Sequence, residues 1–357
     1  MKTAVLAAMV ALAVSPALAQ EGGGRAFAPA VAGLIETVIV PQYARFTEAA
    51  KAEAALVADL CAAPDEARLA AARDGFLASL TAFSQVEMFR FGPAREDNRI
   101  DRLFFWPDRR GRGLRQIQGL IAEADETAAT AETLKVKSVA VQGLPALEFV
   151  LFGTGAKDLL APGSFRCRYG SAIAATIVDV AGALEADWRG PFAALMEDAG
   201  PNNPVYRNHG EALQDILQAA AEQIEMVKDL KLGASIGDSP DDAHPKRIPF
   251  WRSGGALPAL EGNVAGVDAL LAPPLVEVLN ADDVWLQSVR FELELVHRTL
   301  AALIADGRPF GELATDAEGH RRMAYAAHPL AGAHTILAVR IPGELGFVAG
   351  FNAMDGD

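Results

Sequence analysis

Apolar residues recur at steps of three and four along most of this chain, a spacing that suits packed helices and leaves little for a sheet. Between residues 165 and 188, Tyr169, Ile173, Ile177, Val180, Leu184 and Trp188 share one stripe. Leu213, Ile216, Leu217, Ala220, Ile224, Val227 and Leu230 form a second, with Gly233 placed as its stop. Trp285, Val289, Leu293, Val296, Leu300 and Leu303 form a third, and Leu69, Phe76, Leu80 and Phe83 a fourth, behind a helix start at Pro64, Asp65 and Glu66. An earlier helix is expected from about residue 29 to residue 60, kinked or broken before Pro41. Few segments alternate with period two. The expected fold class is all-α.

A chain of 357 residues exceeds what one core usually serves, so two domains are expected. The densest breakers in the middle, Gly190-Pro191 and Gly200-Pro201-Asn202-Asn203-Pro204, put the boundary near residue 200, giving helical bundles over 20–199 and 200–357. A second irregular stretch, 233–258, carries Pro240, Pro245, Pro249 and Pro258; its length marks it as functional or mobile. Residues 1–19 read as a secretory leader: Lys2, an apolar run over 4–14, and a cut after Ala19 in Ala17-Leu18-Ala19. The first cysteine is Cys61, so no lipid attachment follows the leader, and no later stretch is expected to span a bilayer. The mature protein is expected in the periplasm or outside the cell. There Cys61 and Cys167 form one disulfide, the alternative being two separate buried thiols. The 46 Asp and Glu outnumber the 32 Lys and Arg, which disfavours nucleic acid and anionic membranes as partners.

The stretch Gly143-Leu144-Pro145-Ala146-Leu147-Glu148 opens a helix, since Pro145 fits a first turn where a missing N–H costs nothing. Glu148 then stands alone among Leu147, Phe149, Val150, Leu151 and Phe152, where a carboxylate needs a partner. This stretch resembles the Gly-x-His-x-x-Glu signature of the imelysin family of bacterial envelope proteins, with Pro145 in the histidine position. Further segments are similar to family features in the same order: Phe89-Arg90-Phe91-Gly92-Pro93, Ile100-Asp101, Trp106-Pro107, Arg247-Ile248-Pro249-Phe250-Trp251-Arg252-Ser253, and a tail over 350–357. The resemblance implies two helical bundles with a site at their interface near the signature. It also implies a link to the envelope and to iron uptake, and some members are described as peptidases.

In the usual signature the histidine and glutamate share a helix face and can ligate a metal. Pro145 has no donor, which leaves Glu148 as the single metal candidate there. Iron or another divalent metal would need ligands from elsewhere. The competing reading makes Glu148 a structural carboxylate paired with Arg90 or Arg252. Glu87 and Arg90, three apart, either pair locally or join Asp101, Trp106 and Glu148 in a polar pocket between helices. The candidate pocket set is Glu87, Arg90, Asp101, Trp106, Gly143, Pro145, Glu148 and Arg252. Glu294 and His297 have diiron-bundle spacing without a second copy, which favours a solvated flank, and His320, His328 and His334 lack ligand spacing. The chain carries no His-Glu-x-x-His or P-loop motif. The expected function is an exported, non-catalytic binding protein of the envelope, linked to iron or metal acquisition, whose partner is a small ligand or another envelope protein. The alternatives are a metallopeptidase and an interaction module without a small-molecule site.

Overall fold

The apolar stripes fold as helices. The computed structural model describes residues 26–347 apart from Arg109, so the leader over 1–19 and the tail motif over 350–357 lie outside the described residues. Among the described residues every regular element is helical and no strand occurs, so the fold is all-α. Phe165–Arg189 starts at Ser164, whose side chain accepts the Cys167 N–H, and buries the six stripe residues from Tyr169 to Trp188. Glu66–Val86 starts at Asp65, which accepts the Arg68 N–H, and Val284–Asp306 at Asp283, which accepts from Trp285 and Leu286.

Two expected helix ends are absent. Pro41 does not end its helix: Phe27–Leu34 runs through the π-helical turn Ile35–Ile39, an irregularity just before the proline, into Val40–Ala62. Within this wider turn the Val40 N–H reaches back to the Ile35 carbonyl, which makes room for a proline that has no N–H to donate. Gly233 is not a stop either, because His209–Glu225 continues through the π-helical Met226–Gly233 into Ala234–Ile236. The chain turns at Gly237, where φ is +64°.

The continuous Phe27–Ala62 run is long and apolar enough to cross a membrane, which corrects the expectation that no such stretch follows the leader. Half of that apolar window is buried inside the fold, as in the core helix of a packed bundle. Val40–Ala62 packs against both Glu66–Val86 and Phe165–Arg189, and Cys61 and Cys167 join two of these helices in a disulfide with Cα atoms 5.5 Å apart. In the C-terminal half, Val284–Asp306 packs on Ala317–Thr335. Ala256–Ala269 touches both groups, lying against Glu66–Val86, Val284–Asp306 and His209–Glu225. Its glycines allow this approach: a Cβ at Gly266 would sit 2.3 Å from the Gln85 carbonyl oxygen, and one at Gly262 2.7 Å from Ser84 Cβ.

Candidate functional site

Gly143–Phe152 is the helix that carries Glu148, and both of its ends are held by other parts of the chain. At its start Gly143 has φ +70°, and an added Cβ would lie 2.3 Å from the Arg102 carbonyl oxygen and 2.4 Å from that of Leu103. The preceding Val141 carbonyl accepts from the Tyr169 hydroxyl at 2.7 Å. At its end Arg166 is buried and donates to the carbonyls of Phe149, Val150 and Thr154, while Arg73 donates to Leu151. These cations meet the carbonyls that a helix C-terminus leaves unpaired.

Glu148 is 2% exposed, and the strap formed by residues 250–253 satisfies it. Its Oε1 accepts from the Arg252 N–H, the Ser253 N–H and the Ser253 hydroxyl, each at 3.0 Å. The Arg252 guanidinium is 3.9 Å from Oε2 and stacks over the rings of Trp251 and Phe149. Burial pushes the Glu148 carboxyl above its usual range, against the donors of Ser253 and Arg252. Of the two arginines expected to pair with it, Arg252 is the partner, and its backbone does more than its side chain. Phe250 takes a left-handed conformation at φ +62° and buries its ring against Phe104 and Phe76, which turns the strap onto Glu148.

A cavity of about 710 Å³ opens beside this carboxylate. Trp106, Pro145, Glu148, Phe149, Trp251 and Arg252 line it, with Lys246 and Arg247 at its edge. The Trp106 indole N–H donates to the Arg247 carbonyl at 3.3 Å, tying the 104–108 segment to the 246–252 segment across the opening. The long irregular stretch after residue 233 therefore supplies one wall.

The remaining candidates separate from this cavity. Glu87 and Arg90 pair locally at 3.0 Å, and neither lines it. Asp101 is exposed and Gly143 is buried in the backbone packing just described, so neither contributes a side chain to the opening. Glu87 instead belongs to a buried cluster that sequence reading missed. Lys231 Nζ donates to both of its oxygens, at 2.9 and 2.7 Å, and to Asn263 Oδ1 at 2.7 Å. Asn263 Nδ2 donates to Glu87 and to the Ser84 carbonyl. Burial opposes the charge on Glu87, but Lys231 and Arg90 hold it below the usual range, whereas burial holds Lys231 below its own. Lys231 stands between Leu230 and Leu232, and a lone lysine on that apolar stripe was the available signal. The Phe104 ring lies under Lys231 and Arg90 and stacks on Trp106 and Phe250, so it separates the buried cluster from the cavity wall.

His297 hydrogen-bonds Glu261 at 2.6 Å, and this bond raises its pKa, whereas Glu294 faces Arg298 on an exposed flank. His320 bonds the Ile236 carbonyl and His334 lies 3.7 Å from Glu225. His328 packs edge-on to Tyr325. The signature residues do not fit a transition-metal site. Pro145 offers no donor, Glu148 Oε1 already accepts three hydrogen bonds, and Oε2 faces a guanidinium. Among the described residues no three His, Cys, Asp or Glu side chains gather as a ligand set.

The model of the imelysin peptidase family matches residues 39–337. No curated protein sequence matches the chain. Among solved structures, an imelysin-like protein from Psychrobacter arcticum 273-4 superposes with a TM-score of 0.76 at 20% identity, covering 91% of this chain and 97% of its own. A candidate iron-regulated protein A precursor from Parabacteroides distasonis ATCC 8503 superposes with a TM-score of 0.75 at 16% identity, covering 89% and 95%. These two likenesses concern the fold. The match over 39–337 takes in the helical core, the signature helix and the strap that satisfies Glu148, and by it the chain belongs to the imelysin family.

Proposed function

We propose that this protein is an exported, non-catalytic binding protein of the cell envelope, linked to iron or metal acquisition, which holds a small ligand in the cavity beside Glu148. The observation that carries the reading is that cavity: a concave, aromatic-lined space with a few convergent polar groups is the usual form of a small-molecule site. In the same proposal the leader over 1–19 is cut after Ala19, and two bundles dividing near residue 200 both contribute, through Glu148 on one side and the 246–252 segment on the other. Family membership and the iron-regulated name of one structural neighbour support the link to iron. Catalysis is left out because the carboxylate at the signature is taken up by hydrogen bonds from the strap, and the one hydroxyl beside it among the described residues, that of Ser253, has no histidine in the cavity lining to activate it.

A strain lacking the protein tests this reading, with growth compared in iron-replete and iron-depleted medium and the tagged protein located by fractionation. A growth defect confined to iron depletion, rescued by the natural protein and not by a leaderless copy, is the expected result. Hydrolysis of peptide substrates by the purified protein, abolished by a chelator, would replace the reading with a metallopeptidase.

A further inference from the structure

The charge inside the cavity is opposite to the charge of the chain. The protein carries a formal net charge of −14, yet Lys246, Arg247 and Arg252 converge on this one opening. The two carboxylates in the lining are already engaged. Glu148 accepts from the strap, and Asp108 accepts the N–H groups of Arg112 at 2.8 Å and Leu114 at 3.2 Å. Among the described residues no carboxylate lies within ion-pair reach of Lys246 or Arg247, and both side chains are exposed at the edge. The walls between these cations are aromatic: Phe105, Trp106, Phe149 and Trp251. Arg252 and Lys246 already sit over the Trp251 ring, at 4.3 and 5.5 Å from its centre, so flat rings and cations alternate across the site.

We propose that this cavity takes an aromatic anion, a ring-bearing carboxylate or phenolate. Iron, if the function proposed above holds, then enters as an anionic aromatic chelate and not as a bare cation. The ring stacks in the aromatic lining and its negative groups face Lys246, Arg247 and Arg252. A bare cation meets the reverse: three positive side chains, and a carboxylate with no free donor set around it.

The test uses the mature chain, titrated by calorimetry and by tryptophan emission. The probes are 2,3-dihydroxybenzoate, its ferric complex, the neutral 2,3-dihydroxybenzamide and free Fe²⁺. The acid and its ferric complex are expected to bind, the amide about tenfold more weakly, and added salt should weaken the acid and its complex but not the neutral amide. Lys246→Glu with Arg247→Glu is expected to cost the acid a further tenfold or so with no change in melting temperature, since both side chains are exposed. Equal affinity for acid and amide, indifference to the double charge reversal, or one-to-one Fe²⁺ binding that the acid does not disturb would each overturn the proposal. The iron link fails separately: discriminating anion binding in a protein whose deletion leaves iron-limited growth intact keeps the ligand class and removes the iron. An iron-limited growth defect with no discrimination between acid and amide does the reverse.

Discussion

Lys231 and Glu87 lie 144 residues apart in sequence, yet their side chains meet at 2.7 Å with both groups essentially sealed from solvent. Asn263, from a third segment, completes the coordination of the ammonium. The cluster therefore joins three stretches of chain at the base of the Phe104 ring. A charge pair without water is justified only by geometry that leaves no partner missing.

Removing either charge should destabilise the protein sharply. Glu87→Ala or Lys231→Ala is expected to cost roughly 3–5 kcal/mol in urea unfolding, because the remaining ion is stranded. Glu87→Gln with Lys231→Met should cost clearly less than the two single changes added together. Additive losses would show that the two residues act separately.

The Cys61–Cys167 bond closes a loop with a sequence separation of 106. Chain-entropy reasoning assigns such a loop roughly 4–5 kcal/mol. Reductant, or Cys61→Ser with Cys167→Ser, should lower the melting temperature markedly, and alkylation of the denatured, unreduced protein should label no thiol. Two labelled thiols would refute the bond.

Glu148 should distinguish loss of an acceptor from loss of charge. Glu148→Ala strands the Arg252 and Ser253 N–H groups of the strap, at about 1–3 kcal/mol for each donor left unmade, while the Ser253 hydroxyl keeps the Phe250 carbonyl as acceptor. Glu148→Gln keeps an acceptor and should be milder. Proteolysis within 246–254 should speed up in the alanine variant; equal protection of both variants would mean that the carboxylate does not hold the strap.

Glu53 is wholly buried, and burial pushes its carboxyl up to about 8, with only the Ser79 hydroxyl opposing that rise. A raised carboxyl stays protonated in the fold while the unfolded chain ionises. Its contribution is therefore complete below the unfolded value of about 4.3 and is lost as the pH rises through the folded one. Relative to Glu53→Gln, the natural protein should lose roughly 1.4 kcal/mol of unfolding free energy per pH unit across that window. Parallel curves for the two proteins between pH 5 and pH 8 would remove Glu53 as the cause.

The sequence by itself determined the helices, because helical periodicity and capping are local. The stripes at 165–188 and 285–303, and the start at Asp65, needed no knowledge of what they pack against. It also determined the signature carboxylate and the cysteines, since a lone Glu among apolar residues and a single Cys pair leave few choices. The π turns at Pro41 and Gly233 were not legible, because a proline or glycine inside a helix is tolerated only when neighbouring packing compensates. Nor was the division of the polar candidates legible. Glu87 and Glu148 look alike in sequence, a carboxylate on an apolar helix. Only the tertiary structure gave one a buried lysine from residue 231 and the other the backbone of residues 252 and 253, because each pairing depends on segments more than 100 residues away.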